Sequence, residues 1–280
     1  MIDAIASLFG AVIRLIYNLV GENYGLSIII FSILTKVILF PINLKQARTT
    51  EEMKKIAPIE QEIRKKYKGA KDSNEKIALE LQKVYAEHKI NPVAGCLPAL
   101  IQIPIIIAMF YIVKQPLTYI KQMPEKQIIE YVQEMNQSDK KVTKAEIRNN
   151  EIKIADEKEL INMDFMGLRF GDIPANSVNK KIEKEERPSY FTLVVPALSL
   201  LFSILQAKIA MKNSNMTEEQ VEQQKTMNLM LPFLSAYISY IMPLALGVYW
   251  LIGSVCQTIS QLLVTKIVKD KKIMLGERSK

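Results

Sequence analysis

Residues 23–42 read NYGLSIIIFSILTKVILFPI, and from Leu26 to Ile42 the one charged side chain is Lys36. A helix needs roughly 17–25 mostly apolar residues to cross a hydrocarbon core, so this stretch reads as a membrane span carrying a single cation. Four more stretches read the same way: 93–113, 190–207, 227–242 and 243–266. The last two run together as apolar sequence, but about 40 residues is too long for one crossing at 1.5 Å rise per residue. Pro243 with Gly247 marks a reversal between them. The expected fold class is therefore all-α, a polytopic membrane protein with five transmembrane helices.

Composition alone hides this. Apolar residues make up 49% and charged residues 24% of the 280, close to an ordinary soluble protein. The charges are confined to blocks between the apolar runs. This arrangement excludes a disordered chain, and two cysteines, Cys96 and Cys256, are too few for a disulfide framework. Lys and Arg set the orientation. Residues 43–92 hold 12 bases against 8 acids, and the tail after Thr265 holds 6 against 2. Both blocks are expected in the cytoplasm, which five spans allow with the N-terminus outside. The stretch 114–189, with 14 bases and 14 acids, then lies outside, where its length keeps it from influencing the count.

Before the first span, residues 1–22 place Ile5, Leu8, Phe9, Val12, Ile16, Leu19 and Val20 on one helical face. An interfacial helix on the outer leaflet fits this pattern best, with a sixth span as the alternative. Between the first two spans, residues 43–92 read as a helical hairpin. Met53, Ile56, Ile59, Ile63 and Tyr67 form one stripe, Ile77, Leu81, Val84 and His88 the other, and Pro58 is expected to bend the first arm. The hairpin is either a spacer or a basic docking arm for a ribosome, a targeting factor or anionic lipid headgroups. The remaining segments are the loop 208–226 and the basic tail 267–280.

A charge inside a span costs about 2.5–3.5 kcal/mol on insertion scales, which makes Lys36 a candidate functional residue. Snorkelling is the competing explanation, because Lys36 lies only five residues before Pro41. Other polar residues strengthen the functional reading. Ser32 is one turn from Lys36, and Gln102 is mid-span in 93–113. Ser199, Ser203 and Gln206 share a face of the third span, as do Ser254, Gln257 and Gln261 on the fifth. Most fall from mid-bilayer to the cytoplasmic side, while the outer halves are apolar. Single serines in membrane helices are usually interhelical glue, but this shared depth suggests a water-accessible groove open to the cytoplasm and sealed outside. Ser235, Tyr237, Ser239 and Tyr240 on the fourth span do not follow that bias.

The chain resembles the YidC-type membrane protein insertases. The resemblance is carried by residues 23–42, by YAEHKINP at 85–92, GCLPALIQIPIIIAMFYIV at 95–113, FMGLRFGDIP at 165–174 and MPLALGVYWLIGSVCQTISQ at 242–261. These cover the chain apart from 115–163 and look like a Gram-positive bacterial form in the cell membrane. The resemblance implies five core helices around a hydrophilic groove, and a positive residue on the first span that meets the substrate. Lys36 occupies that position, where the bacterial pattern usually has Arg. Gln102 and Trp250 fall within matching motifs. Implied partners are nascent membrane proteins, with a ribosome, targeting factors, the Sec translocation channel and anionic lipids as further candidates; nucleic acid is not expected as a substrate.

The sequence has no phosphate-binding GxxxxGK[ST] loop and one histidine, His88, so no cofactor, metal or enzymatic chemistry is expected. Two other classes compete with insertion: a secondary transporter or channel, and a scaffold for other membrane proteins. Against transport, no acidic residue lies inside a span and no inverted repeat is visible.

Overall fold

A computed structural model describes residues 2–70, 72–88, 90–91, 97–137, 141–212 and 218–274. The first residues of the expected second span, with Cys96, and the end of the C-terminal tail lie outside these.

The chain is helical nearly throughout. Helix α1 (Ile2–Leu19) is followed by α2 (Tyr24–Tyr67), α3 (Ser73–Glu87), α4 (Leu97–Lys114) and a single turn, α5 (Pro116–Tyr119). Then come α6 (Glu125–Asn136), α7 (Lys144–Glu157) and a two-stranded hairpin, β1 (Asp164–Phe165) with β2 (Leu168–Arg169). The chain closes with α8 (Val194–Lys212), α9 (Glu218–Ile241) and α10 (Leu244–Met274).

Among the described residues, four helical stretches are long and apolar enough to cross a membrane: Ile2–Leu19, Tyr24–Tyr67, Tyr190–Ile209 and Leu244–Ile267. Three of these contain spans expected from the sequence. The other two expected spans appear as shorter apolar helices, Leu100–Lys114 and Met230–Ile241. The reversal falls where Pro243 placed it, between α9 and α10.

The largest departure from the sequence reading is the length of α2. Residues 43–67, expected as a separate hairpin arm, continue the first span as one helix of 44 residues through Pro41 and Pro58. At 1.5 Å per residue that is about 66 Å, roughly twice a 30 Å hydrocarbon core, so its second half must project from the bilayer. There it packs on α3 through Ile56, Ile63 and Leu81, all buried. Buried Glu60 accepts a hydrogen bond from the Tyr85 hydroxyl at 2.6 Å, and Lys66 pairs with Glu80 at 3.0 Å. Of the expected stripes, Ile56, Ile63 and Leu81 are buried, Met53, Ile59, Tyr67, Ile77 and Val84 are half-buried, and His88 is exposed.

In the bundle, α10 packs along both α2 and α8, and α8 forms a hairpin with α9. Helices α2 and α10 are parallel, since Lys36 lies against Gly253 and, seven residues further along each helix, Asn43 meets Ser260. Helix α1 packs on α2, α4 and α5.

The stretch 114–189 is folded. Helices α6 and α7 pair through Ile128, Val132, Ile147 and Ile154, and this core is continuous with that of the spans. A capping box at Thr143 and Glu146 starts α7.

Candidate functional site

Lys36 faces the interior side of α2, toward α10 and α4. Its Nζ donates to Gln102 Oε1 at 3.1 Å, and a Cβ added at Gly253 would lie 3.3 Å from its Cε. The buried Tyr249 hydroxyl sits beside Gln102 without a well-formed hydrogen bond. Among the described residues no carboxylate pairs with Lys36. A cation held in a span by a neutral carbonyl oxygen is hydrogen-bonded but not neutralised, and so retains its attraction for an incoming anion.

Two turns further along, Asn43 Nδ2 lies 3.4 Å from both Gln257 Oε1 and Ser260 Oγ. These contacts are long for hydrogen bonds, and Gln261 Oε1 is buried without a partner among the described residues. The α2–α10 seam thus carries a polar ladder from Lys36 to Gln261. Asn43 and Ser260 were missed in the sequence because Asn43 lies just past the apolar run, where a polar residue is unremarkable.

The other expected residues are distributed differently. Ser32 is fully buried, and its hydroxyl donates to Ile28 O of its own helix at 2.6 Å. Ser254 is buried on α10, and Trp250 is half-buried. Ser203 Oγ donates to Ser235 Oγ at 3.2 Å, and Ser239 Oγ donates to Ser199 Oγ at 3.3 Å. The two serines of α9 that break the depth pattern are therefore the partners of those on α8, in a seam away from Lys36. Gln206 is half-buried on α8, and no hydrogen bond links it to the Lys36 set among the described residues.

The opposite end of α2 and α10 is closed by backbone. Tyr24 N donates to Asn162 O at 3.1 Å, and Asn23 Nδ2 donates to Asp164 O at 3.0 Å. Leu244 N donates to Asp172 O at 2.7 Å, and Ala245 N to Phe170 O at 3.0 Å. One short segment therefore accepts the first orphan N–H of α2 and the first two of α10, while Asn23 Oδ1 caps Leu26 N. Its hairpin turns through Met166 and Gly167, at φ 53° and 77°, the paired positive values of a tight hairpin turn. Phe165 and Phe170 pack so closely on Gly25 that a Cβ there would meet Phe165 at 2.6 Å. Burial pushes the Asp172 carboxyl up to about 6. Nearby, Glu151 of α7 is fully buried and accepts from Thr118 N at 2.9 Å and Thr118 Oγ1 at 2.7 Å. Burial outweighs those hydrogen bonds and raises Glu151 to about 7.

The model of the 60Kd inner membrane protein family matches residues 15–272. The chain belongs to this family. It is 30% identical over 244 residues to a membrane protein insertase YidC of Fusobacterium nucleatum, covering 87% of each chain. It is 27% identical over 267 residues to a protein of the same name from Oceanobacillus iheyensis, covering 92% of this chain and 82% of the relative. A membrane protein insertase YidC 2 of Streptococcus pyogenes is 27% identical over 262 residues, covering 91% of this chain and 66% of that one. The match spans both the ladder and the closing segment, so the two features belong to the family region. Fold and family together make this a multi-pass membrane protein.

Proposed function

We propose that this chain inserts newly made membrane proteins into the cell membrane and helps them fold, with Lys36 as the group that meets their charged tails during transfer. The observation that supports this reading is the ammonium inside a span, bonded to Gln102 and, among the described residues, paired with no carboxylate. Ser32, Gln102, Ser203, Gln206, Trp250, Ser254, Gln257 and Gln261 are proposed to line or border a hydrophilic groove around it. The ladder from Lys36 to Gln261 supports that placement for the α2–α10 side.

The energetics need no nucleotide. A substrate span of about 20 apolar residues, at roughly −0.3 to −0.6 kcal/mol each, gains about 6–12 kcal/mol on entering lipid. Carrying one carboxylate past the bilayer centre costs about 2.5–3.5 kcal/mol, so the obstacle is a barrier and not the final balance. Two charges 4 Å apart at an effective dielectric near 20 attract by about 4 kcal/mol, enough for Lys36 to offset one such crossing. An inside-negative potential adds about 2.3 kcal/mol per 100 mV for each negative charge moved outward.

The proposed orientation puts the N-terminus, α5–α7 and the closing segment outside, and α3 and the C-terminus in the cytoplasm. Under it, α4 and α9 complete five spans and α1 lies along the outer interface. In support, Gly10 touches Tyr119 and Tyr17 lies under Lys121 at 5.3 Å, so sites seven residues apart on α1 meet one short segment beyond α4. The exposed apolar Leu8, Leu15 and Leu19 then face lipid. The basic α2–α3 arm is a proposed dock for a ribosome, targeting factors or anionic lipid, and the Sec channel is a proposed neighbour. The comparisons lend the small-solute transporter reading no support.

The test is reconstitution of purified protein in liposomes with a single-span substrate, scoring insertion without ATP. Lys36→Ala should impair substrates with acidic outer tails more than neutral-tailed ones. Equal insertion of both by the variant removes the proposed role of Lys36.

A further inference from the structure

Gly253 is the unusual member of the Lys36 surroundings. Every other neighbour named there offers a polar atom; this one offers space. A glycine in the interior of an apolar helix costs stability relative to alanine, so its position needs a reason. The usual one, close approach of two helix backbones, does not describe it. The atoms that an added Cβ would meet within 4 Å are both from Lys36: Cε at 3.3 Å and Nζ at 3.9 Å. Gly247, on the same helix, differs in kind, because its Cβ would meet Val195 Cγ1 at 3.1 Å and Ser239 at 3.5 Å, an ordinary helix-packing site.

We infer that Gly253 is a positioning residue for the Lys36 ammonium, its missing side chain forming the trough that directs the lysine stem across α10 to Gln102. The inference rests on the proposed role of Lys36 and adds what holds that group in place. Lysine has four rotatable bonds between its backbone and its charge, and from an exposed stretch of α2 it could swing toward headgroups instead. In this site the two ends of the stem are constrained separately. Gln102 Oε1 fixes the nitrogen at 3.1 Å, and the flat surface at Gly253 admits the last methylene. A methyl group at 253 needs the lysine to yield by a few tenths of an ångström, and a branched side chain occupies its path outright. Since the stem is flexible, it is the lysine that moves and not the helix. The consequence is functional before it is structural.

The experiment measures insertion of two substrates that differ only in their outer tails, one carrying two Asp and the other two Asn. The quantity read is the Asn-tail to Asp-tail ratio of insertion rates. Gly253→Ala should raise that ratio several-fold. Gly253→Val should bring it near the ratio of Lys36→Ala, at least about tenfold above the parent, the lower end of what a hydrogen bond from a charged group is worth. In a Lys36→Ala background neither substitution at 253 should change the ratio further, because two residues acting through one group are not additive. Gly253→Ala keeps a good helix former and so remains informative if the valine variant is poorly folded. Equal slowing of both substrates, in both backgrounds, would make Gly253 a packing residue and overturn the inference. So would an unchanged ratio in both 253 variants alongside a raised ratio in Lys36→Ala, which leaves the Lys36 reading intact. If Lys36→Ala itself does not raise the ratio, that reading fails and the inference fails with it.

Discussion

The two ends of the α2–α10 pair are built on opposite principles. At the helix starts, the contacts are mostly backbone and aromatic: residues 162–172 accept the first N–H of α2, the first two of α10 and the Asn23 side-chain amide, and Phe165 and Phe170 fill the space over Gly25. At and beyond Lys36, the contacts are side chain to side chain, long at 3.4 Å or incomplete, and one is made by an unneutralised cation. Backbone groups already bonded to one another have little to offer a visitor. Buried polar groups that are only partly paired gain from any polar partner that arrives. The difference between the ends therefore matches a bundle closed on one side and receptive on the other.

Reversing the charge at the receptive end should give the largest effect. Lys36→Glu turns an attraction of about 4 kcal/mol for an acidic tail into repulsion of similar size. Acidic-tailed substrates should stall and basic-tailed ones gain, read as relative insertion rates in liposomes; retention of the parent's preference removes the electrostatic role. At the closed end, Gly25→Val drives a side chain into Phe165 and Phe170. Overpacking of this kind costs about 1–3 kcal/mol or more. Thermal unfolding in detergent should fall accordingly, and protease cutting near Arg169 should rise.

A smaller effect concerns pH. Glu151 lies in the closed end's supporting layer with its pKa raised from 4.5 to about 7. Between those values the folded state binds more protons than the undocked one, so docking of α7 weakens as pH rises through that window. Glu151→Gln should abolish this dependence, measured as proteolytic protection of α7 between pH 5 and pH 8 (about the span of the titration). A parent protein with flat protection would contradict it. The smallest effect is expected between the two ends, in the α8–α9 seam. Ser199→Ala should cost about 0.6 kcal/mol and leave tail preference unchanged.

That seam also shows where sequence reading met its limit. Ser199 and Ser203 look like groove residues on one helix viewed alone, and Ser235 and Ser239 look anomalous on another. Once the helices are antiparallel neighbours, the four hydroxyls account for each other. Pairing across helices is not encoded in the spacing along either one. The same holds for α2, whose far end is covered by α3, a pairing that neither stretch announces alone.

The sequence by itself determined the apolar lengths, the charge blocks, the lone cation at 36 and the family motifs. Each of these is a property of contiguous residues in water or lipid. The tertiary structure alone decided that Lys36 meets Gln102 over Gly253, that Asn43 meets Gln257 and Ser260, and that residues 162–172 cap two helices at once. Those contacts join segments from 66 to 217 residues apart, and their existence depends on how helices of similar apolar character choose their neighbours. Shape and hydrogen bonding make that choice, because lipid offers no hydrophobic preference between one apolar face and another.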